Sequence, residues 1–145
     1  IIAGSSSMDR QLSEFAKNNG ISGFEFLSCI PGSIGGGIKM NAGCFKNEFK
    51  DILLSVQVID MDGNIRTINA SKIKFDYRKS DFSKDLIFLS ATFRGKKGNI
   101  QLIEKQINDM KAKKNLAQPS KIKTSGSTFK NPVNQTKKKV LELNK

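Results

Sequence analysis

The sequence of 145 residues contains no histidine and no tryptophan, and it has only one tyrosine, two cysteines and three prolines. The absence of histidine excludes catalytic triads of the Ser-His-Asp kind. The two cysteines, Cys29 and Cys44, lack the CxxC spacing of structural zinc sites, so we expect no metal site. Such sparse cysteine is typical of proteins of reducing compartments, and we expect a cytoplasmic location.

Long hydrophobic runs are also missing from the sequence. No apolar stretch approaches the length of a membrane span, so we expect no membrane partner. The opening segment IIAGSSSMDR lacks the basic flank and the continuous apolar core of a signal peptide. It also lacks an initiator methionine, from which we expect a processed or partial chain.

Acidic residues are scarce in the last part of the chain. Residues 1–104 hold 14 lysines and arginines against 11 acidic residues, a balance of +3, whereas residues 105–145 hold 11 against 2, a balance of +9. Such a basic segment favours nucleic acid, an anionic membrane or a phosphorylated small molecule as its partner, or it is a solvated lysine-rich surface. The sequence has no RNA-binding aromatic signature, which disfavours a nucleic-acid module.

The pattern of apolar residues predicts an α+β domain in the order helix, loop, hairpin, strand, helix. Apolar residues at helical spacing indicate two helices, and alternating or continuous apolar runs indicate strands. The predicted helices cover residues 7–19 and 99–114, and the predicted strands cover residues 53–59, 65–68 and 86–93, with a turn at residues 61–64.

The stretch IPGSIGGGIKMNAG, residues 30–43, holds five glycines in fourteen residues. It matches neither the GxxxxGK[ST] nor the GxGxxG phosphate-binding pattern. Glycine in a folded segment carries an entropic cost. The cluster therefore predicts either a tight structural connection or a loop on which a flat or phosphorylated ligand lies against bare amides. Asn41 adds a side-chain amide that the same ligand can use.

Two further segments, FDYRKSDF and SGSTFKNP, concentrate polar and charged groups. Taken alone, Arg78 is equally well explained as a surface arginine stacked on a neighbouring aromatic ring, and Ser127 as an ordinary turn hydroxyl. Taken together, the segments predict an anion site. A guanidinium presents a planar fork to a carboxylate, while Lys130 and Asn131 suit a diphosphate.

Four ordered segments carry a family resemblance. At about these separations, IPGSIGGGIKMNAG, FDYRKSDF, LSATFRG and SGSTFKNP resemble the UDP-N-acetylenolpyruvoylglucosamine reductase family, also called UDP-N-acetylmuramate dehydrogenase or MurB. Upstream, GISGFEFLSCIPG is similar to the family's GLSGLEFLAGIPG. The resemblance covers nearly the whole chain and weakens only after Pro132. The short spacing between the arginine and serine segments resembles the family's shorter form.

The resemblance implies an FAD-dependent oxidoreductase of peptidoglycan precursor synthesis. Such an enzyme uses NADPH to reduce UDP-N-acetylglucosamine enolpyruvate, a UDP-sugar substrate, to UDP-N-acetylmuramate. Arg78 matches the family's arginine that stabilises the enolate, and Ser127 matches the serine that protonates it. The implied substrate contacts are Tyr77, Arg78, Lys130 and Asn131. The implied FAD contacts are Ile30, Pro31, Gly32, Ser33, Gly35, Gly36, Gly37 and Asn41.

The resemblance also implies a domain organisation. Residues 1–115 match the second lobe of a two-lobed FAD-binding domain of the vanillyl-alcohol-oxidase/MurB type, and residues 116–145 match the beginning of the substrate-binding domain. The family's first flavin lobe and its catalytic glutamate have no counterpart in the chain, and Glu142 is a poor candidate for the latter. We therefore expect little turnover from this chain alone and complementing fragments of the same enzyme as its partners. The alternative is a non-catalytic remnant of such an enzyme.

Overall fold

The computed structural model describes residues 1–117, and a four-stranded antiparallel sheet organises this part of the chain. The elements in chain order are β1 (Ile2–Gly4), α1 (Asp9–Asn18), β2 (Ile21–Ser22), a 3-10 helix (Glu25–Cys29), α2 (Ile34–Lys39), β3 (Gly43–Cys44), β4 (Asn47–Glu48), α3 (Phe49–Ile52), β5 (Leu53–Ile59), β6 (Ile65–Asn69), a second 3-10 helix (Ala70–Lys72), β7 (Phe75–Asp76), β8 (Lys79–Ser80), β9 (Ile87–Phe93), β10 (Lys96–Lys97) and α4 (Ile100–Ala117). The large sheet has the order β1-β9-β5-β6, and the short strands pair as β2 with β10, β3 with β4, and β7 with β8. Within this range, no helix is long and apolar enough to cross a membrane.

The predicted hairpin and the predicted strand that follows it are confirmed, since β5 pairs with both β6 and β9. The turn between β5 and β6 contains Gly63 at φ +86°. Asp60 organises this turn because its carboxylate accepts the backbone N–H groups of Asp62 and Asn64 at 3.1 and 2.9 Å. These bonds favour the ionised form, and they lower the pKa of Asp60.

Both predicted helices are present with shifted starts. Helix α1 begins at Asp9 rather than at Ser7, after an extended Met8 whose N–H donates to Gln11 Oε1 at 3.1 Å. Gly20 follows the helix at φ +63°, as expected of a residue that ends it. Helix α4 starts after Asn99, whose side-chain oxygen accepts the N–H groups of the first turn.

The buried side of α4 is narrow. Ile103 and Ile107 are buried, and Met110 packs against the core, but Ile100 is 47% exposed. The core itself is rich in phenylalanine. Phe24 and Phe49 both contact Phe93, with ring centroids 6.3 and 6.1 Å apart, under the valines of β5. The glycine-rich segment contributes Ile34 and Ile38 to the same core.

The glycine-rich segment is a helix where the sequence predicted a loop, and this prediction is corrected. Ser33 is extended at φ −106° and ψ 156°, and α2 follows it directly. Ile34 and Ile38 lie one turn apart and are 0% and 1% exposed. Their burial outweighs the low helix propensity of three glycines. Helix α2 packs against β1 and β9, and β1 is a strand that the sequence patterns had not revealed.

Candidate functional site

Residues 30–41 have an outer and an inner face, and the outer face is open to solvent. Pro31 and Gly36 are exposed, while Gly32 and Ser33 are half-buried. Within residues 1–117, the N–H of Gly36 donates no hydrogen bond to the protein. A Cβ placed on Gly36 would meet only Ser33 Oγ, at 3.5 Å. The absence of a side chain there keeps the backbone accessible to a flat ligand.

The inner face serves packing. Gly35 donates its N–H to Ser5 O at 2.9 Å, and Gly37 donates to Ser33 O at 2.8 Å. A Cβ on Gly37 would overlap the ring of Phe49, which is itself fully buried. These two amides are hydrogen-bonded within the protein, and both glycines are buried, whereas the predicted FAD contacts of Gly35 and Gly37 stay predictions. Glycine stands at position 37 because an aromatic ring needs the space.

Asn41 is buried and makes structural hydrogen bonds, and its predicted contact with FAD stays a prediction. Its side chain is 0% exposed. The amide donates to Glu48 Oε2 at 3.0 Å and to Asp76 O at 3.1 Å, and its oxygen accepts the N–H of Lys50 at 3.1 Å. The backbone of Asn41 has φ +41°, a conformation that asparagine tolerates better than most residues. Asn41 therefore connects the end of the glycine-rich segment to three other elements, namely β4, α3 and β7.

Arg78 lies at the tip of the short β7–β8 hairpin and reaches the same place. Its guanidinium donates to Gly43 O at 2.9 Å and to Asn41 O at 3.4 Å, and it lies 3.7 Å from Glu48 Oε1. The side chain remains 30% exposed. It also stacks on Tyr77, with the guanidinium carbon 4.8 Å from the ring centroid. The hairpin thus brings Arg78 to the end of the glycine-rich segment.

A second pair of contacts fixes this hairpin. Ser80 Oγ donates to Lys39 O at 2.6 Å, and Lys39 Nζ donates to Phe82 O at 2.7 Å.

Ser127, Lys130 and Asn131 lie outside the described residues. Their assembly with Arg78 into an anion site stays a prediction, as does the domain boundary at residue 115.

The sequence patterns missed two residues that lie against α2. Ser5 and Ser7 follow β1, and their carbonyls accept the N–H groups of Gly35 and Ile34, so the serine-rich turn lies along α2. The glycine and serines after a short apolar run were the available signal for this strand and turn.

Asp9 is a third residue that was missed, and no sequence pattern distinguishes it. It is fully buried, and neither carboxylate oxygen has a hydrogen-bond partner among the described residues. A Cβ on Gly32 would come within 3.1 Å of Asp9 Oδ2. Burial raises the pKa of Asp9 from 3.8 to about 7. The glycine-rich segment therefore rests on a carboxyl group that favours its protonated form.

Comparison with known proteins first defines the class. Residues 1–69 match the family model of the FAD binding domain. A crystal structure of the UDP-N-acetylenolpyruvylglucosamine reductase from Thermus caldophilus superimposes with a TM-score of 0.87 at 29% identity, over 99% of this chain and 53% of that one. The described fold is thus an α+β FAD-binding fold of the MurB type.

Curated proteins of similar sequence share one enzyme name. The chain is 62% identical over 143 residues to a UDP-N-acetylenolpyruvoylglucosamine reductase of Pelagibacter ubique, a match that covers 99% of this chain and 47% of that protein. It is 48% identical over 132 residues to the enzyme of the same name from Rickettsia bellii, which covers 91% of this chain and 44% of that protein. The chain is therefore similar to UDP-N-acetylenolpyruvoylglucosamine reductases, and it spans about half the length of the curated relatives it matches.

Proposed function

We propose that this chain is part of an FAD-dependent, NADPH-driven reductase that converts UDP-N-acetylglucosamine enolpyruvate into UDP-N-acetylmuramate. The proposal rests on the similarity to relatives of that name and on one structural observation. The outer face of residues 31–36 offers a backbone amide and a bare glycine surface beside the hairpin that carries Arg78. The cytoplasmic location and the UDP-sugar substrate belong to the same proposal.

The cofactor contacts follow from the accessible face. Pro31, Gly32, Ser33 and Gly36 would hold FAD, with Ile30 half-buried at the edge. Backbone N–H groups suit negatively charged or carbonyl oxygens, and glycine allows a planar ring system to approach the chain. When bound, FAD would supply hydride transfer between a nicotinamide and the substrate. The chain's own contribution is to orient that cofactor.

Arg78 is suited to hold the carboxylate of the enolpyruvyl group. A guanidinium has five N–H donors, and the contacts with Asn41 and Gly43 leave some of them available. Reduction places negative charge on the substrate carboxylate and the adjacent carbon, and a fixed cation stabilises that charge as it develops. Glu48, 3.7 Å away, orients the guanidinium from behind. Tyr77 supports the same group through its ring.

The proposed proton donor is Ser127. Its hydroxyl would transfer a proton to the substrate carbon next to the carboxylate, which completes the reduction. Lys130 and Asn131 would bind the diphosphate of the substrate. These three roles are supported by the resemblance of SGSTFKNP to the family's serine segment. Residues 116–145 would then begin a substrate-binding domain, and complementing segments of the same enzyme would be the partners of this chain.

A chimera tests the proposal. The chain would replace the matching segment of the Pelagibacter ubique relative, and NADPH oxidation would be measured with UDP-N-acetylglucosamine enolpyruvate. We expect flavin retention and turnover. Arg78→Lys should lower kcat by about 100-fold, because lysine cannot provide the planar fork, whereas Lys79→Arg on the exposed neighbour should leave it unchanged.

Ser127→Ala in the same chimera should leave flavin reduction by NADPH intact and lower product formation by about 100-fold or more. Ser125→Ala is the matched control within the same segment. Equal loss of both half-reactions would show that Ser127 is structural. A folded chimera that retains FAD but has no turnover would support the alternative of a non-catalytic remnant.

A further inference from the structure

A surface cleft lies between α1 and α4, where both helices pack against the first 3-10 helix. The cleft holds an open cavity of about 270 Å³. All the residues that line this cavity are polar or charged, and they are Arg10, Gln11, Ser13, Glu14, Ser28 and Lys111. None of them belongs to residues 30–36, so the cavity is separate from the proposed cofactor face.

The cleft carries positive charge that is not neutralised within the described part of the chain. Arg10 on α1 and Lys111 on α4 are exposed, and neither forms a salt bridge within residues 1–117. Glu14 is the one acidic residue of the lining, and its carboxylate lies 2.6 Å from Lys17 Nζ. Because Glu14 has its own counter-ion, the two cations of the lining favour an anion between them.

Two hydroxyl groups of the same lining are available as donors. Ser13 is 2% exposed, and its Oγ has no hydrogen-bond partner among residues 1–117. Such a buried hydroxyl is uncommon, since it gives up its bonds to water without a replacement. Ser28 is half-buried, and its Oγ makes only a 3.7 Å contact with the sulfur of Cys29. Both hydroxyls can therefore donate to the oxygen atoms of an anion.

We propose that this cleft is a binding site for the phosphate group of a small molecule. Its cations are Arg10 and Lys111, and its hydroxyl donors are those of Ser13 and Ser28. A guanidinium donates two parallel hydrogen bonds to phosphate oxygens, and an ammonium adds a point charge. A phosphate group has enough oxygens and charge to use all of these donors, whereas chloride does not. The site does not depend on the proposed function.

A neighbouring cavity extends the cleft and its positive charge. This second cavity has a volume of about 350 Å³, shares Arg10 and Ser28 with the first, and is also lined by Lys114. Lys114 is held there because its Nζ donates to Cys29 O at 2.6 Å. A ligand with two phosphate groups can place one in each cavity. Pyrophosphate should therefore bind more tightly than inorganic phosphate.

Calorimetric titration of the 145-residue chain with pyrophosphate, inorganic phosphate and chloride at equal ionic strength tests the site. We expect pyrophosphate to bind, phosphate to bind more weakly and chloride to give no signal. Arg10→Gln and Lys111→Met should each weaken pyrophosphate binding about 10-fold, because each removes a charge-assisted contact. No binding of either phosphate compound to the unchanged chain would overturn the proposal.

The matched controls remove the same charges elsewhere. Arg66→Gln on β6 and Lys105→Met on α4 change exposed side chains that line neither cavity, so the affinity for pyrophosphate should stay unchanged. Equal losses in the control and the cleft variants would show general attraction to a basic protein and would overturn the proposal.

Ser13→Ala distinguishes a built site from a patch of surface charge. In chloride, this variant should melt at the same temperature as the unchanged chain or slightly higher, since it loses an unpaired buried hydroxyl. Pyrophosphate should raise its melting temperature less than that of the unchanged chain, because ligand affinity sets this rise. An equal rise in both proteins would show that Ser13 does not contact the anion, and the proposed site would be wrong.

Competition experiments test the separation from other ligands. Displacement of pyrophosphate by FAD would assign the cleft to the cofactor and overturn the proposal. Binding of a single-stranded RNA oligonucleotide that Arg10→Gln abolishes, without binding of pyrophosphate, would assign the cleft to nucleic acid instead. Failure of the chain to bind FAD would count against the proposed function and leave the phosphate site standing.

Discussion

The outer and inner faces of α2 are made of the same residue type and serve different ends. Gly36 is exposed, and a Cβ there would make only an ordinary van der Waals contact with Ser33 Oγ, whereas a Cβ on Gly37 would overlap the buried ring of Phe49. One glycine leaves room for a ligand, and its neighbour leaves room for the core. A run of glycines therefore predicts that something packs closely against the backbone, but not whether it is a ligand or a core side chain.

The same division extends beyond the helix. Asp9 and Asn41 support the inner side of the segment, and both are fully buried. Asn41 has partners for its amide, whereas Asp9 has none among the residues that the structure describes. Substitutions on the inner side should therefore change stability, and substitutions on the outer side should change ligand binding.

Asp9→Asn should give the largest effect on the inner side. The pKa of Asp9 is about 7 when folded and 3.8 ordinarily, so the folded state keeps a proton that the unfolded state loses between these values. Asp9 therefore lowers the free energy of unfolding as the pH rises from about 4 to about 7, by up to about 4 kcal/mol. The asparagine variant lacks this term. Urea unfolding at pH 4, 6 and 8 would measure the difference.

The control for that comparison is Asp62→Asn, which removes one carboxylate from the exposed turn between β5 and β6. It corrects for the change in net charge. If Asp9→Asn and the unchanged chain lose stability in parallel over the whole pH range, then Asp9 is not protonated in the fold.

Asn41→Ala should be next in size. It removes three part-buried hydrogen bonds and leaves the N–H of Lys50 without its partner, for a loss of about 2–3 kcal/mol in the free energy of unfolding. Asn47→Ala is the matched control, because Asn47 is exposed and makes one 3.3 Å contact with Phe45 O. Chemical denaturation of both variants would measure the difference. Weaker FAD binding with an unchanged free energy of unfolding would instead show that Asn41 contacts the ligand.

Gly37→Ala should lower the free energy of unfolding by about 1–2 kcal/mol, because the added methyl group overlaps the ring of Phe49 and cores tolerate overpacking poorly. Phe49→Leu tests the cause, since a smaller neighbour should recover part of the loss in the double variant. Thermal unfolding of the two single variants and the double variant is sufficient. If the stability losses of the two single variants add up to that of the double variant, then the two positions do not interact.

Gly36→Ala should have the smallest effect on stability and should mark the outer face. Alanine favours a helix over glycine, so we expect a gain of up to about 1 kcal/mol. In the chimera, FAD affinity should fall about 10-fold, because the new methyl group stands where the ligand approaches. Thr67→Ala, on the exposed strand β6, is the control for flavin binding. An unchanged FAD affinity would place the cofactor elsewhere.

The sequence predicted the regular elements well where a single physical signal dominated. Alternation in residues 53–59, the turn at Gly63 and the apolar spacing of α4 each depend on local pattern, and each is confirmed. It predicted a loop at α2 because glycine disfavours helix. The burial of Ile34 and Ile38 is a tertiary effect that local propensity does not contain.

The candidate site divides in the same way. The order of the motifs predicted the resemblance to the reductases and the segments of the candidate site. Whether a given residue in a segment faces a ligand or the core was decided only by packing. Asn41 and Gly37 were assigned to the cofactor because their segment was, and the structure turns them inward.

By itself, the sequence determined the class of fold, the resemblance to a reductase family and the clustering of glycine in residues 30–43. These features depend only on residue type and order, which are given by the sequence. The tertiary structure alone decided which face of the glycine-rich helix is open and that Arg78 meets the end of the glycine-rich segment. The physical reason is that burial and long-range contact depend on what the rest of the chain places against each residue.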